Sequence, residues 1–142
     1  MKYVLDTNAV SALMRGDGAV AARLQRVAKG DVVVPQPVLA EIAYGIARLP
    51  RSKRRDRLRQ IVDSIRAEVA RAPWTDEVTE QFGTVKAALE KRGERLEDLD
   101  LAIAAHALAA GAVLVTTDAR HMGRVPGLVV EDWSVQRGLP GG

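Results

Sequence analysis

The sequence predicts a single α/β domain with a mostly parallel central sheet of about four or five strands, flanked by helices on both faces. Short apolar segments without polar alternation recur along the chain, and segments with helical periodicity lie between them. Continuous apolar strands are typical of a sheet that is covered on both sides. With 142 residues, of which 47% are hydrophobic, the chain can form one well-buried core.

Four segments are predicted as buried strands, because each is a short apolar run that stops at a proline or a polar residue. They are residues 2–5, 31–34, 112–115 and 128–130. Helices are predicted over residues 36–49, 52–71, 76–91 and 97–110, bounded by prolines or by the glycines at 93 and 111. The alternation of strand and helix favours parallel pairing with right-handed crossovers. We expect residues 1–137 to form this domain and residues 138–142 to be a short flexible tail.

The composition limits where the protein can be located and which kinds of binding site it can form. The chain has no cysteine, which excludes disulfides and thiolate metal sites. No apolar run reaches membrane-spanning length, so we expect a cytoplasmic protein with no membrane partner. The formal net charge of +3 is mild, but basic residues concentrate between positions 48 and 59. From this cluster we select four candidate contacts to phosphate groups: Arg51, Lys53, Arg54 and Arg55. A solvated helix start is the alternative interpretation.

Four acidic residues lie at strand ends or in apolar helices, where they could share one binding site. Asp6 and Asp118 follow predicted strands, and the carboxyl ends of parallel strands are where ligands bind. Asp100 lies in a helix that is apolar almost all the way round, and Glu41 borders the apolar face of another. Taken singly, each has a structural explanation, such as helix N-capping for Asp6 and Asp118 or ordinary exposure for Glu41. If all four converge, their repulsion calls for a divalent cation, and oxygen ligands favour Mg²⁺ or Mn²⁺.

Four stretches carry a family resemblance. They are YVLDTN at 3–8, the segment at 35–45 that contains Glu41, DLAIAA at 100–105 and VTTD at 115–118. In this order they resemble the motifs of PIN-domain ribonucleases, and within that family the VapC-type toxins of type II toxin–antitoxin systems. The resemblance implies a Mg²⁺- or Mn²⁺-dependent endoribonuclease that hydrolyses RNA phosphodiester bonds. It also implies a VapB-type antitoxin as partner, with homodimers within the toxin–antitoxin complex.

The resemblance assigns roles to residues of this chain. The catalytic and metal-binding acids would be Asp6, Glu41, Asp100 and Asp118. Supporting hydrogen bonds would come from Thr7, Asn8 and Thr116. With two Trp, two Tyr and one Phe, the chain has little material for stacking on bases, which favours recognition of RNA by shape.

Neither histidine is expected in the mechanism. We predict His106 to be partly buried and hydrogen-bonded, and His121 to lie in a surface loop. The alternative function is a non-catalytic PIN-like module that binds an antitoxin or another protein. A phosphate-transferring domain of the receiver type is disfavoured, because Asp6 has no paired acid beside it and no lysine closes the last strand.

Overall fold

The computed structural model describes residues 1–134, so the predicted boundary between residues 137 and 138 lies outside the described residues. The strands are β1 (Tyr3–Leu5), β2 (Val32–Pro35), β3 (Ala70–Ala72), β4 (Val113–Val115) and β5 (Val130–Glu131). The helices are α1 (Thr7–Met14), α2 (Gly18–Arg26), α3 (Gln36–Ala47), α4 (Lys53–Glu68), α5 (Asp76–Lys91), α6 (Asp98–Ala110) and α7 (Ala119–Met122). A 3₁₀ turn, Lys29–Asp31, precedes β2.

All strand pairs in the sheet are parallel, in the order β3-β2-β1-β4-β5. Val4 of β1 is aligned with Val33 on one side and with Leu114 on the other. The chain therefore moves outward from β1 through β2 to β3, then returns to β4 on the opposite side of β1. The strand order reverses between β1 and β4, which is the point of an open α/β sheet where ligands bind. The predicted fold class is confirmed.

The core is centred on β1, β4 and α6. Val4, Leu5 and Leu114 have no exposed surface, and the middle of α6 is buried on all sides. Such complete burial explains why these segments are apolar without alternation. In residues 1–134, every helix is too short or too polar to cross a membrane.

The main correction to the predicted elements is β3. The helix predicted over residues 52–71 ends at Glu68, and Ala70–Ala72 forms an edge strand that pairs with β2. Two of its three residues are exposed, so the segment has no apolar run that would distinguish it from the end of a helix. The other predicted strands shift by one or two residues. Helices α1 and α2 had no predicted bounds.

Candidate active site

Asp6 occupies the carboxyl end of β1, at the reversal of strand order. Its side chain caps α1, because Oδ1 accepts a hydrogen bond from the Thr7 backbone N at 2.7 Å. Its own backbone N donates to the Val115 carbonyl at 2.9 Å, which fixes Asp6 against the end of β4. Asp6 is only 3% exposed. The residue is therefore both a helix cap and a buried carboxylate at the ligand-binding edge of the sheet.

A polar frame joins the start of α1 to the end of β4. Asn8 Oδ1 accepts from Thr116 Oγ1 at 3.1 Å and from the Thr117 backbone N at 2.8 Å. Thr116 Oγ1 in turn accepts from the Asp118 backbone N at 3.0 Å. Thr116 is fully buried, so these bonds are shielded from water. Two of the three predicted supporting residues thus hold the loop that carries Asp118.

Glu41 is positioned by the third supporting residue. Thr7 Oγ1 donates to Glu41 Oε1 at 2.6 Å, a short bond of the charge-assisted kind. The bond connects α1 with α3 across 34 positions in sequence. Glu41 is half-buried, so it is not the ordinary exposed residue of the alternative interpretation.

All four predicted acids line one cavity of about 390 Å³. Asp6 comes from β1, Glu41 from α3, Asp100 from the first turn of α6, and Asp118 from the loop before α7. The Asp118 side chain makes no capping bond to α7, so the N-cap interpretation does not hold there. Acids from distant segments therefore converge at one edge of the sheet, which is the condition for a cation site stated above.

The acids interact electrostatically. Burial raises the pKa of Asp6, and the nearby Asp100 and Glu41 carboxylates raise it further, against the hydrogen bond from Thr7. The pKa of Asp100 is also raised, first by burial and then by Glu41, while His121 opposes the shift. Burial and the neighbouring carboxylates together therefore disfavour the charged forms of Asp6 and Asp100 when no cation is bound.

The donors fit a hard divalent cation. Carboxylate oxygens are the ligands that Mg²⁺ and Mn²⁺ prefer, and the cavity supplies them without competing thiolates. A cation would also relieve the repulsion that raises the two pKa values. Within residues 1–134, no three His, Asp or Glu side chains stand close enough together to ligate one ion as placed. Mg²⁺ is commonly held by one or two carboxylates, with waters as its other ligands.

His121 is not where the sequence analysis placed it. It belongs to α7, lines the acidic cavity, and brings Nε2 to 3.7 Å from Asp100 Oδ2. An Arg124 guanidinium nitrogen lies 3.2 Å from His121 Nδ1, and the neutral tautomer that accepts this contact carries its proton on Nε2. The N–H of His121 therefore faces Asp100. The available sequence signal was its position three residues after Asp118, which a short helix brings back over the cavity.

The remaining predicted residues lie away from the cavity. His106 is buried, like the rest of the middle of α6. Its Nε2 has no hydrogen-bond partner, so the predicted hydrogen bond is absent at that atom. Burial lowers the pKa of His106. The basic candidates lie in the loop before α4 and in its first turn, with Arg51, Lys53 and Arg54 exposed. None of them lines the acidic cavity, whereas Arg15, which was not predicted, does.

Comparisons with known proteins match this chain in sequence and in fold. The sequence matches the PIN domain family over residues 3–128. It is 30% identical over 135 residues to "Ribonuclease VapC2" of Rickettsia felis, covering 94% of this chain and 98% of the relative. It is 25% identical over 134 residues to "tRNA(fMet)-specific endonuclease VapC" of Shigella flexneri, covering 94% and 99%. Among solved structures, VapBC2 from Rickettsia felis bound to a DNA fragment from its promoter superposes with a TM-score of 0.85 at 28% identity, covering 94% and 99%.

Proposed function

Because the chain belongs to the PIN-domain family, we propose that it is the toxin of a type II toxin–antitoxin system and acts as a divalent-metal-dependent endoribonuclease. One observation carries the proposal: acids from four separate segments line a single cavity where the strand order reverses. Relatives of nearly the same length, matched from end to end, are named as ribonucleases. Both observations support hydrolysis of phosphodiester bonds as the activity.

We assign the metal site to Asp6, Glu41, Asp100 and Asp118, with Mg²⁺ or Mn²⁺ as the ion. When bound, the ion supplies a water of lowered pKa and neutralises charge on the scissile phosphate. Thr7 holds Glu41 through its hydroxyl, and the Asn8–Thr116 pair holds the loop that carries Asp118.

The hydrolysis follows from an in-line attack on phosphorus. One P–O bond forms to the attacking water oxygen, which gives up a proton; the bond to the 3′ oxygen breaks, and that oxygen takes up a proton and leaves as a hydroxyl. Arg15 lines the cavity and offers a guanidinium group to a phosphate oxygen. The basic residues at the start of α4, including Arg51, Lys53, Arg54 and Arg55, extend the contact along the RNA backbone.

We further propose a VapB-type antitoxin as the partner, in a complex that contains a homodimer of this chain. The support is the likeness to a solved VapBC assembly that binds promoter DNA. An antitoxin that places a basic side chain in the acidic cavity would neutralise its charge and block RNA. Residues 1–137 are proposed as the folded domain and the cytoplasm as its location.

The test is RNA cleavage by the purified chain with Mg²⁺, with Mn²⁺ and with EDTA. We expect cutting with either ion, none with EDTA, and a loss of at least about 100-fold in Asp6→Asn. Asp63→Asn is the matched control, because Asp63 is exposed on α4. An Asp6→Asn protein that cuts as fast as wild type refutes the proposal. A wild-type chain that binds antitoxin but cuts no RNA with either ion supports the non-catalytic alternative.

A further inference from the structure

The exposed face of α3 continues beyond Glu41 with an aromatic and a basic side chain. At 3.6 residues per turn, Tyr44 and Arg48 lie within about 60° of Glu41 around the helix, and Tyr44 is one turn, about 5 Å, further along it. Tyr44 is 68% exposed, which is unusual for a large aromatic side chain. The Arg48 guanidinium lies over the Tyr44 ring, 5.9 Å from its centre. An aromatic face and a cation therefore lie beside the acidic cavity.

Gly45 leaves the backbone without a side chain on the other side of Glu41, about 40° from Glu41 and about 100° from Tyr44 around the helix. Its φ is not positive, so its backbone conformation does not require glycine. A Cβ built at Gly45 has no atom within 4 Å, so packing does not require glycine either. Glycine lowers helix stability relative to alanine, and here the fold gains nothing in return. We call the surface of Tyr44, Gly45 and Arg48 the α3 shelf; its bare backbone allows a flat ligand to approach closely.

We propose that the α3 shelf binds a nucleobase of single-stranded RNA, stacked on Tyr44, one or two nucleotides from the scissile phosphate. The inference rests on the proposed nuclease function and adds a base-binding position to it. Sequence-tolerant stacking on an aromatic ring flanked by arginine is a common way to hold single strands. Residues 42–55 contain no acidic residue, so the shelf leads from the acidic cavity into the basic cluster along a path suited to a polyanion. One well-placed Tyr thus offsets the shortage of aromatic residues.

The test measures binding in EDTA, where no cleavage occurs. The probes are a fluorescent oligoadenylate dodecamer and an abasic ribose-phosphate dodecamer of the same charge. Wild type is expected to bind the adenylate more tightly, about 5- to 100-fold in Kd, and Tyr44→Ala to remove most of this preference. Tyr44→Phe should keep it, because the ring remains. With Mn²⁺, Tyr44→Ala should raise KM by a similar factor with little change in kcat.

Gly45→Leu provides an independent variant. Since a Cβ at Gly45 meets no atom within 4 Å and leucine favours helix, its melting temperature should match or exceed that of wild type, while its adenylate binding should weaken. Val129→Ala, at an exposed apolar residue near β5, is the control and should bind as wild type. Equal preference for adenylate in wild type and Tyr44→Ala overturns the inference. So does a Tyr44→Ala protein that loses only antitoxin binding, since the shelf would then belong to a protein interface.

The outcomes separate the inference from the proposed function. A chain that cuts RNA but shows no Tyr44-dependent preference keeps the nuclease proposal and loses the base-binding position. A chain that cuts no RNA but shows that preference loses the nuclease proposal, while the shelf remains a site for single-stranded RNA. Loss of both activities refutes both.

Discussion

Asp6→Asn should make the metal-free protein more stable while it abolishes cleavage. Asp6 is 3% exposed and lies near two other carboxylates, so in the absence of a cation its charge opposes folding. Asparagine keeps an oxygen that can accept the 2.7 Å bond from the Thr7 backbone N, and asparagine is as good an N-cap as aspartate. The substitution therefore removes the charge and preserves the cap.

The change in the free energy of unfolding that we expect for Asp6→Asn is the difference between two opposing contributions. Burying an unpaired carboxylate costs several kcal/mol after relaxation. A hydrogen bond to a charged group returns about 1.5–3 kcal/mol, and its neutral replacement returns about 1 kcal/mol. The net gain expected in Asp6→Asn is about 1–2 kcal/mol, or about 3–8 °C in melting temperature for a domain of this size. A divalent ion at 100 times its Kd should stabilise wild type by about 2.7 kcal/mol and leave the variant almost unchanged.

The same reasoning fixes the dependence on pH. The pKa values of Asp6 and Asp100 in the folded state are raised above the ordinary carboxyl value of 3.8, so the folded protein binds these protons more tightly than the unfolded chain does. Metal-free stability should therefore fall as pH rises from about 4 through the folded-state pKa values, and the penalty is complete above them. Asp6→Asn removes the contribution of Asp6 to this fall, so its advantage should be smaller at pH 4 than at pH 7.5.

Thermal unfolding in EDTA, at pH 4 and pH 7.5, is the assay, repeated at pH 7.5 with Mn²⁺. Asp63→Asn controls for the general effect of removing one negative charge, because Asp63 lies on the exposed side of α4. An Asp6→Asn protein that melts below wild type in EDTA at pH 7.5 refutes the reasoning. It would mean that the charge of Asp6 stabilises the α1 terminus more than it disturbs the cavity.

Three further substitutions test how the cavity is held. Thr7→Val removes the 2.6 Å bond to Glu41 and should lower RNA cleavage about 10- to 100-fold in a steady-state assay, while the metal-free protein loses about 1.5–3 kcal/mol of stability. Asn8→Ala leaves the Thr117 backbone N unpaired and should cost about 1–3 kcal/mol in urea unfolding. His121→Leu should weaken Mn²⁺ binding about tenfold by calorimetry, whereas His121→Gln, which keeps an N–H donor, should bind within about twofold of wild type. If Thr7→Val cuts RNA, Asn8→Ala unfolds in urea or His121→Leu binds Mn²⁺ as wild type does, the role assigned to that residue is wrong.

The predicted strands were correct where burial leaves a continuous apolar run. Strands β1 and β4 lie in the middle of the sheet, so Val4 and Leu114 are covered on both faces and the sequence has no polar alternation. Strand β3 lies at the edge, where Arg71 is exposed, and its three residues follow a helix without a break in composition. Pairing with β2 makes this segment a strand, and a pairing partner is not visible in local sequence.

The candidate acids were found for a related reason. Asp100 is conspicuous because the helix around it is buried, so its charge requires an explanation. His121 offers no such contrast, since polar and apolar residues are mixed over 119–124, and its place at the cavity depends on the turn of α7 and on the bonds from Arg124. A side chain whose role is set by tertiary position alone cannot be recognised from its neighbours in sequence.

Asp6 shows that N-capping and cation binding are compatible roles. The cap uses Oδ1 and the backbone of Thr7, and it holds the carboxylate at the mouth of the cavity with Asp100 and Glu41 nearby. The capping bond lowers the free energy of the charged side chain but does not offset its burial, since the pKa remains raised. A carboxylate that served only as a cap would have no reason to be buried beside two others. The cap therefore fixes the position of Asp6, and the uncompensated negative charge is the reason that the cavity would bind a divalent cation.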